Sequence, residues 1–364
     1  MLTSCDFRRA LRTSQELQLS RGRATERSEG RDERAALLQL PQIAKTLQSK
    51  ASSETMESIT LSPAFTPLPG LVGGALIGAI CVARLHALGR LSGLASDTLF
   101  VPGLVLGGAY AAFRTAPDAF VEGTTLPTWR LLLAGALVGV GVPMGKGCTS
   151  GNGVLGLGCL SAAGLVNVVA FMLAAAAAAT WTGASESVAA ADGGAPPPWT
   201  LALPALAGVL AMRPLKCAPR VADLVAGAAF ACALALSGMT KASKVLGFLE
   251  PTRRDGWDPT LACVMGGAVC VSLPGVAFGK LLEEHESVRR WARRDVEPAT
   301  ALGGLLFGAG WGLAGACPCP ALAAAGVSLA QGRALAPACV FAGAMLATER
   351  AYAAATAKTA DKSA

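Results

Sequence analysis

Seven apolar stretches run through this chain, at residues 70–88, 99–115, 159–182, 199–212, 221–238, 260–281 and 334–352. A helix needs about 20 mostly apolar residues to cross the hydrocarbon core of a bilayer. Lipid offers no partner to a backbone N–H or C=O, so a segment that crosses it must satisfy its own hydrogen bonds, as a helix does. Composition agrees with a multi-pass, all-α membrane protein. Charged residues make up 15% of the chain and hydrophobic ones 52%, whereas a soluble domain carries roughly 25% charge. The 43 glycines suit close helix packing in lipid, where small residues let backbones approach. The net charge of +7 comes with no basic stripe interleaved with aromatics, which argues against nucleic acid as a partner.

Two further apolar segments, 130–147 and 301–316, are short and glycine-rich, and each ends at a cysteine. A shift of 169 residues carries Gly135, Gly139, Gly141 and Cys148 onto Gly304, Gly308, Gly310 and Cys317. A shift of 149 carries Gly78 and Gly89 onto Gly227 and Gly238. The chain therefore reads as an internal repeat. Each half holds an apolar helix, a polar turn, another helix and a glycine-rich half-helix ending in a thiol. Duplicated halves with broken helices at matching positions point to a site at their interface, and to an inverted, pseudo-two-fold fold with short re-entrant half-helices meeting at a central constriction. Residues 152–158 and 320–330 are the expected returning arms.

The predicted organisation is a polar N-terminal extension (1–60), a first membrane repeat (69–182), a non-cytoplasmic loop (183–198), a second membrane repeat (199–352) and a polar tail (353–364). The extension holds ten Arg/Lys and eight Asp/Glu and no apolar core of a secretory signal. It reads as disordered, with a weak likeness to an organelle transit peptide over Met1–Arg23. Arg213, Lys216 and Arg220 mark one cytoplasmic loop, and Arg289, Arg290, Arg293 and Arg294 another. Lys241, Lys244, Arg253 and Arg254 conflict with that orientation.

Of eleven cysteines, Cys81, Cys159, Cys232, Cys263, Cys270 and Cys339 lie inside apolar segments, where cysteine packs as a small hydrophobe. No CxxC pair or histidine cluster suggests structural zinc. The chemistry concentrates at the two breaks. Gly147, Gly151 and Gly153 surround Cys148, Thr149, Ser150 and Asn152, so hydroxyls and exposed backbone N–H groups line a path suited to an anion. Lys146, a cation expected within the membrane, reads as functional: it attracts an anion or lowers the Cys148 pKa, unless it snorkels to the interface. In the second break Gly315 precedes Cys317, Pro318, Cys319 and Pro320. The two prolines remove N–H donors and interrupt the helix. Weak S–H donors hold a soft sulfur anion without trapping it, and fast passage needs several weak sites.

The sequence Gly147-Cys-Thr-Ser-Gly-Asn-Gly153 with Gly156-Leu157 and Leu160-Ser161 resembles the signature of the YeeE/YedE family of sulfur-compound transporters. So do Ser237-Gly-Met239, Lys244-Val-Leu-Gly-Phe-Leu249, Gly256-Trp-Asp-Pro-Thr-Leu261, Val264-Met-Gly-Gly-Ala268 and Gly308-Ala-Gly-Trp-Gly-Leu-Ala-Gly-Ala-Cys-Pro318. The resemblance covers roughly residues 70–350. It implies thiosulfate or a related sulfur anion as cargo, transport rather than catalysis, no cofactor or metal, and a relay through the thiols of Cys148 and Cys317. It places the chain in the plasma or inner membrane, or in an organelle membrane given the N-terminal extension, and leaves a cytosolic sulfur carrier or sulfurtransferase open as a partner. The chain departs from the family in four places. Gly89-Arg-Leu-Ser-Gly93 lacks a cysteine found in some relatives, Asn152 stands where histidine is frequent, Lys146 replaces a small or amide residue, and Cys319 replaces glycine. Cys319 is the candidate for the missing thiol. Two rival readings are copper or zinc transport through Cys317-Pro318-Cys319, since soft thiolates select such metals, and a membrane sulfurtransferase or redox protein with Cys148 as nucleophile.

Overall fold

Each of the seven apolar stretches contains a helix among the described residues. The computed structural model describes residues 61–90, 99–114, 126–184, 199–251, 256–332 and 336–363, all within the unit Ile59–Ala364. The extension 1–60, most of the 183–198 loop, Arg253 and Arg254 lie outside the described residues. In chain order the first half contains α1 (Pro67–Leu88), α2 (Phe100–Arg114), α3 (Thr128–Met144), a π-helical segment (Thr149–Gly156) and α4 (Ala162–Thr182). There follow α5 (Ala202–Ala211), α6 (Pro219–Leu236), α7 (Ala242–Leu249), α8 (Thr260–Phe278), and the short α9 (Leu281–Glu284) and α10 (Glu286–Ala292). The chain closes with α11 (Pro298–Ala314), α12 (Pro318–Ala330) and α13 (Pro337–Ser363). Among the described residues the strand-like pairing is one isolated bridge, Leu61 to Trp257.

Five stretches are long and apolar enough to cross a membrane: α1, α4, α6, α8 and Pro298–Ala330, which takes in α11 and α12. The pair of α3 and the π segment, bent by 41°, makes a sixth if counted as one span. Two expected spans fall short. The 99–115 stretch yields the 15 residues of α2, which rise only about 22 Å, and 199–212 yields a helical run of Trp199–Ala211. The 334–352 stretch opens a helix whose later turns carry Glu349, Arg350 and Lys358.

The helices pack as an inverted repeat. Its equivalent members are α1 and α6, α2 and α8, α3 and α11, the π segment and α12, and α4 and α13. Thus α1 packs on α8 and α6 on α2; α4 packs on α11 and α13 on α3; α12 packs on α2 and the π segment touches α8. The equivalent helices α1 and α6 meet antiparallel, with Gly73 against Ser237 and Arg84 against Asp223. Likewise α3 and α11 are antiparallel, with Gly145 against Gly303 and Ala134 against Gly310. Antiparallel equivalents require a two-fold axis in the membrane plane, which is inverted topology.

The glycines matched by the 169-residue shift make equivalent contacts, whereas the counterpart of Gly227, which lies against Phe100, is Gly74 against Val264 and not Gly78. Gly135 and Gly139 of α3 lie against the backbone at Phe341 and Met345 of α13, while Gly304 and Gly308 of α11 lie against Asn167 and Phe171 of α4. Gly141 and Gly310 occupy the seam between α3 and α11. A Cβ added at Gly308 would stand 2.2 Å from the Phe171 carbonyl oxygen, whereas one at Gly266 would meet nothing within 4 Å. Gly308→Ala is therefore expected to destabilise by about 1–3 kcal/mol through overpacking, and Gly266→Ala to be near neutral. Thermal unfolding of the two variants in detergent checks this, and equal stabilities would contradict the packing account.

Both basic loops lie at one end of the bundle, as their charges predict. Asp223, three residues after Arg220, binds Arg84 and Arg90 at the end of α1, and Gly89 abuts His285 just before Arg289. Lys244 is not a flanking charge. It is buried and paired with Asp258 at 3.1 Å, with further bonds to Ala64 and Thr66.

Candidate functional site

The two breaks are built differently. After α3, Lys146 takes a left-handed backbone (φ 55°) and Gly147 an unusual φ of 153°. The chain then enters the π segment, whose sequence TSGNGVLG has poor α-helical propensity; π turns recur at functional sites. Cys148 is its N-cap residue, with an extended backbone and no capping hydrogen bond from its side chain. After α11, Gly315 adopts the left-handed cap (φ 63°), its N–H bonding the Trp311 carbonyl at 2.8 Å. Any side chain there would strain the turn, and a Cβ would stand 2.8 Å from the Ala242 carbonyl oxygen. Contrary to the sequence reading, Pro318 and Pro320 do not interrupt a helix. They begin α12, where the first-turn N–H groups lack intrahelical partners anyway.

These two starts converge on one cavity of about 260 Å³ between the halves. Cys148, Thr149 and Ser150 line it from the first half, and Cys317, Cys319 and Pro320 from the second. The Cys148 sulfur is 3.2 Å from Ser150 Oγ, and the Cys317 sulfur is 3.2 Å from Thr149 Oγ1. Cys319 lines the same cavity as Cys148. The three thiols, spread over 171 residues of sequence, thus line one cavity together with two hydroxyls, and all three are buried. The remaining wall is apolar and soft: Met172, Met239 and Met265 with Phe171, Phe230, Phe248 and Trp311. A polarizable wall with a few weak donors accommodates a partly soft anion and binds it loosely.

Two predicted path residues stand elsewhere. Lys146 is half-exposed and paired with Glu297 at 3.1 Å, and it does not line the cavity. The snorkelling alternative describes it, because a surface partner and water solvate the ammonium more cheaply than a buried site would. Asn152 is fully buried but also off the wall. Its Nδ2 donates to the carbonyls of Gly145 and Gly147 and, at 2.9 Å, to Asn167 Oδ1. Its Oδ1 accepts from Arg294 at 2.8 Å. Asn167 in turn donates to the Thr300 carbonyl at 2.8 Å. Asn152 therefore braces the first break against α4 and α11. Partial burial holds the Arg294 guanidinium below its ordinary pKa, and Glu297 opposes that shift. Gly151 and Gly153 lie inside the π segment rather than at the break. Lys146→Ala is expected to change uptake by no more than about twofold, as for an exposed ion pair. A tenfold loss in a transport assay would return Lys146 to the path.

Besides Glu250, five buried charged residues have no place at the site in the sequence reading: Arg84, Arg130, Asp223, Lys244 and Asp258. A signal was available for Arg84 and Asp223, which stand inside expected spans, where an ionisable residue demands explanation. None of the five lines the cavity. Among the described residues, no three His, Cys, Asp or Glu side chains are grouped to hold a metal ion.

Comparison with known proteins adds the following. A profile described as a family of unknown function (DUF6691) matches residues 220–362. A protein of Xylella fastidiosa strain 9a5c, named a probable transporter, is 37% identical over 127 residues, covering 34% of this chain and 82% of its own length. Two proteins of strain Temecula1 with the same name are 36% and 35% identical, over 73% and 86% of their lengths and 29% of this chain in each case. Each relative is thus less than half as long as this chain. No solved structure matches.

Proposed function

Because this chain belongs to the family of the Xylella fastidiosa probable transporters, we propose that it is an integral membrane transporter of thiosulfate or a closely related sulfur anion. Its cargo passes between the two halves by weak S–H and O–H contacts, and no covalent step is needed. The observation that carries this reading is the convergence of Cys148, Cys317 and Cys319 with Thr149 and Ser150 on one cavity at the interface of the repeats. Matched helix breaks at a repeat interface are where secondary transporters bind their cargo. The resemblance to the YeeE/YedE family points to the same cargo, and Cys319 stands where a third thiol is wanted. The half-length relatives suit a chain in which two such units are joined.

The direct test is expression in a bacterial strain stripped of its sulfate and thiosulfate importers and grown on thiosulfate as sole sulfur source. Restored growth with saturable uptake of labelled thiosulfate is expected. Accumulation of copper or zinc with no thiosulfate uptake would overturn the reading in favour of soft-metal transport.

A further inference from the structure

Trp311 stands in the cavity wall and is 2% exposed. Its indole Nε1 is buried and has no hydrogen-bond partner. Buried donors almost always find one, so an orphan beside a cavity calls for an explanation. The ring is held where it is. It stacks on Phe307 at 6.0 Å with planes 14° apart, and meets Phe171 edge-on at 5.7 Å. Both phenyl rings are themselves buried and neither offers an oxygen or nitrogen acceptor. The helix at Trp311 is pinned further by the left-handed turn at Gly315, whose N–H occupies the Trp311 carbonyl.

We propose that Trp311 Nε1–H is a cargo-binding donor that recognises the oxygen end of the sulfur anion. This rests on the reading of the cavity as an anion passage and adds the group that distinguishes an oxyanion from a bare sulfide. An indole N–H is donor only and does not titrate. It repels a metal cation and offers an acceptor oxygen a fixed, directional bond. The cavity then serves both ends of a thiosulfate-like ion. Trp311, Thr149 and Ser150 face the oxygens as donors, while Met172, Met239 and Met265 give the terminal sulfur a polarizable surface.

The test exchanges one atom pair. β-(3-Benzothienyl)alanine incorporated at position 311 keeps the shape of the indole and replaces N–H by sulfur. The expected result is a rise of about tenfold in KM for thiosulfate uptake, as for one lost charge-assisted hydrogen bond, with maximal rate and thermal stability little changed. An unchanged KM in a variant that transports would overturn the proposal while leaving the thiosulfate reading intact. Absence of uptake by the wild type would sink that reading first. A second measurement does not depend on the variant's folding. In ¹⁵N-labelled wild-type protein, the Trp311 indole resonance, assigned by its loss in Trp311→Phe, shifts downfield on titration with thiosulfate. A resonance that stays in place at saturating thiosulfate overturns the proposal.

Discussion

Replacing Cys148 or Cys317 by alanine is expected to cut thiosulfate uptake by roughly ten- to a hundredfold while leaving the protein folded. The size follows from the lost contacts. A hydrogen bond to a charged group contributes about 1.5–3 kcal/mol, and each 1.4 kcal/mol is a factor of about ten. Both sulfurs are buried on the cavity wall, and each is already oriented by a hydroxyl of the first break, Ser150 for Cys148 and Thr149 for Cys317. Alanine removes only the sulfur, so the helix starts that carry these residues are retained. Cys319→Gly is expected to lower uptake as well, because its thiol lines the same cavity as Cys148. Initial rates of labelled uptake, normalised to protein in the membrane, decide the matter. Wild-type rates in both alanine variants would end the thiol relay, and a wild-type rate in Cys319→Gly would remove that residue from it.

The second large effect is on stability. Asp223 is fully buried and receives Arg84 Nε at 2.9 Å and Arg90 at 2.6 Å. Arg84 is itself fully buried, with its guanidinium 4.7 Å from the centre of the Phe100 ring. The cluster ties the end of α1 to the start of α6, the two equivalent helices of the repeat. Asp223→Ala strands a buried guanidinium and is expected to cost about 3–5 kcal/mol. Replacing the pair together, as Arg84→Met with Asp223→Leu, removes the buried charges at once and should recover most of that loss. Unfolding in detergent, followed by tryptophan fluorescence, compares the two. A double variant as unstable as Asp223→Ala would mean that the pair contributes more than mutual neutralisation.

Much of this architecture is legible in the chain itself. Apolar length marks the helices because lipid leaves the backbone no alternative. The repeated glycines mark the two halves because each removes a side chain from the same kind of seam: Gly308 against Phe171, Gly139 against Met345. The charged loops placed Arg220 and Arg289 at one end because a basic flank is a local property of the sequence. Helix length was less legible, since α2 and α5 stop before a full span.

The site divides in the same way. That Cys148 and Cys317 terminate matched glycine-rich runs is a one-dimensional fact, and so is the second thiol at Cys319. Depth and partnership are not. Lys146 reads as buried from its apolar neighbours, yet Glu297, 151 residues away, holds it at the surface. Asn152 reads as part of the path, yet Asn167 and Arg294 turn it into a brace. Trp311 reads as one more apolar residue until the packing of Phe171 and Phe307 leaves its N–H unpaired. The sequence by itself determined a duplicated, membrane-embedded helical chain with a thiol at each break, because length, hydropathy and glycine spacing act locally. Only the tertiary structure decided which thiols share a cavity, which charges are neutralised and which donor is left free, because burial and pairing are set by residues that the chain keeps far apart.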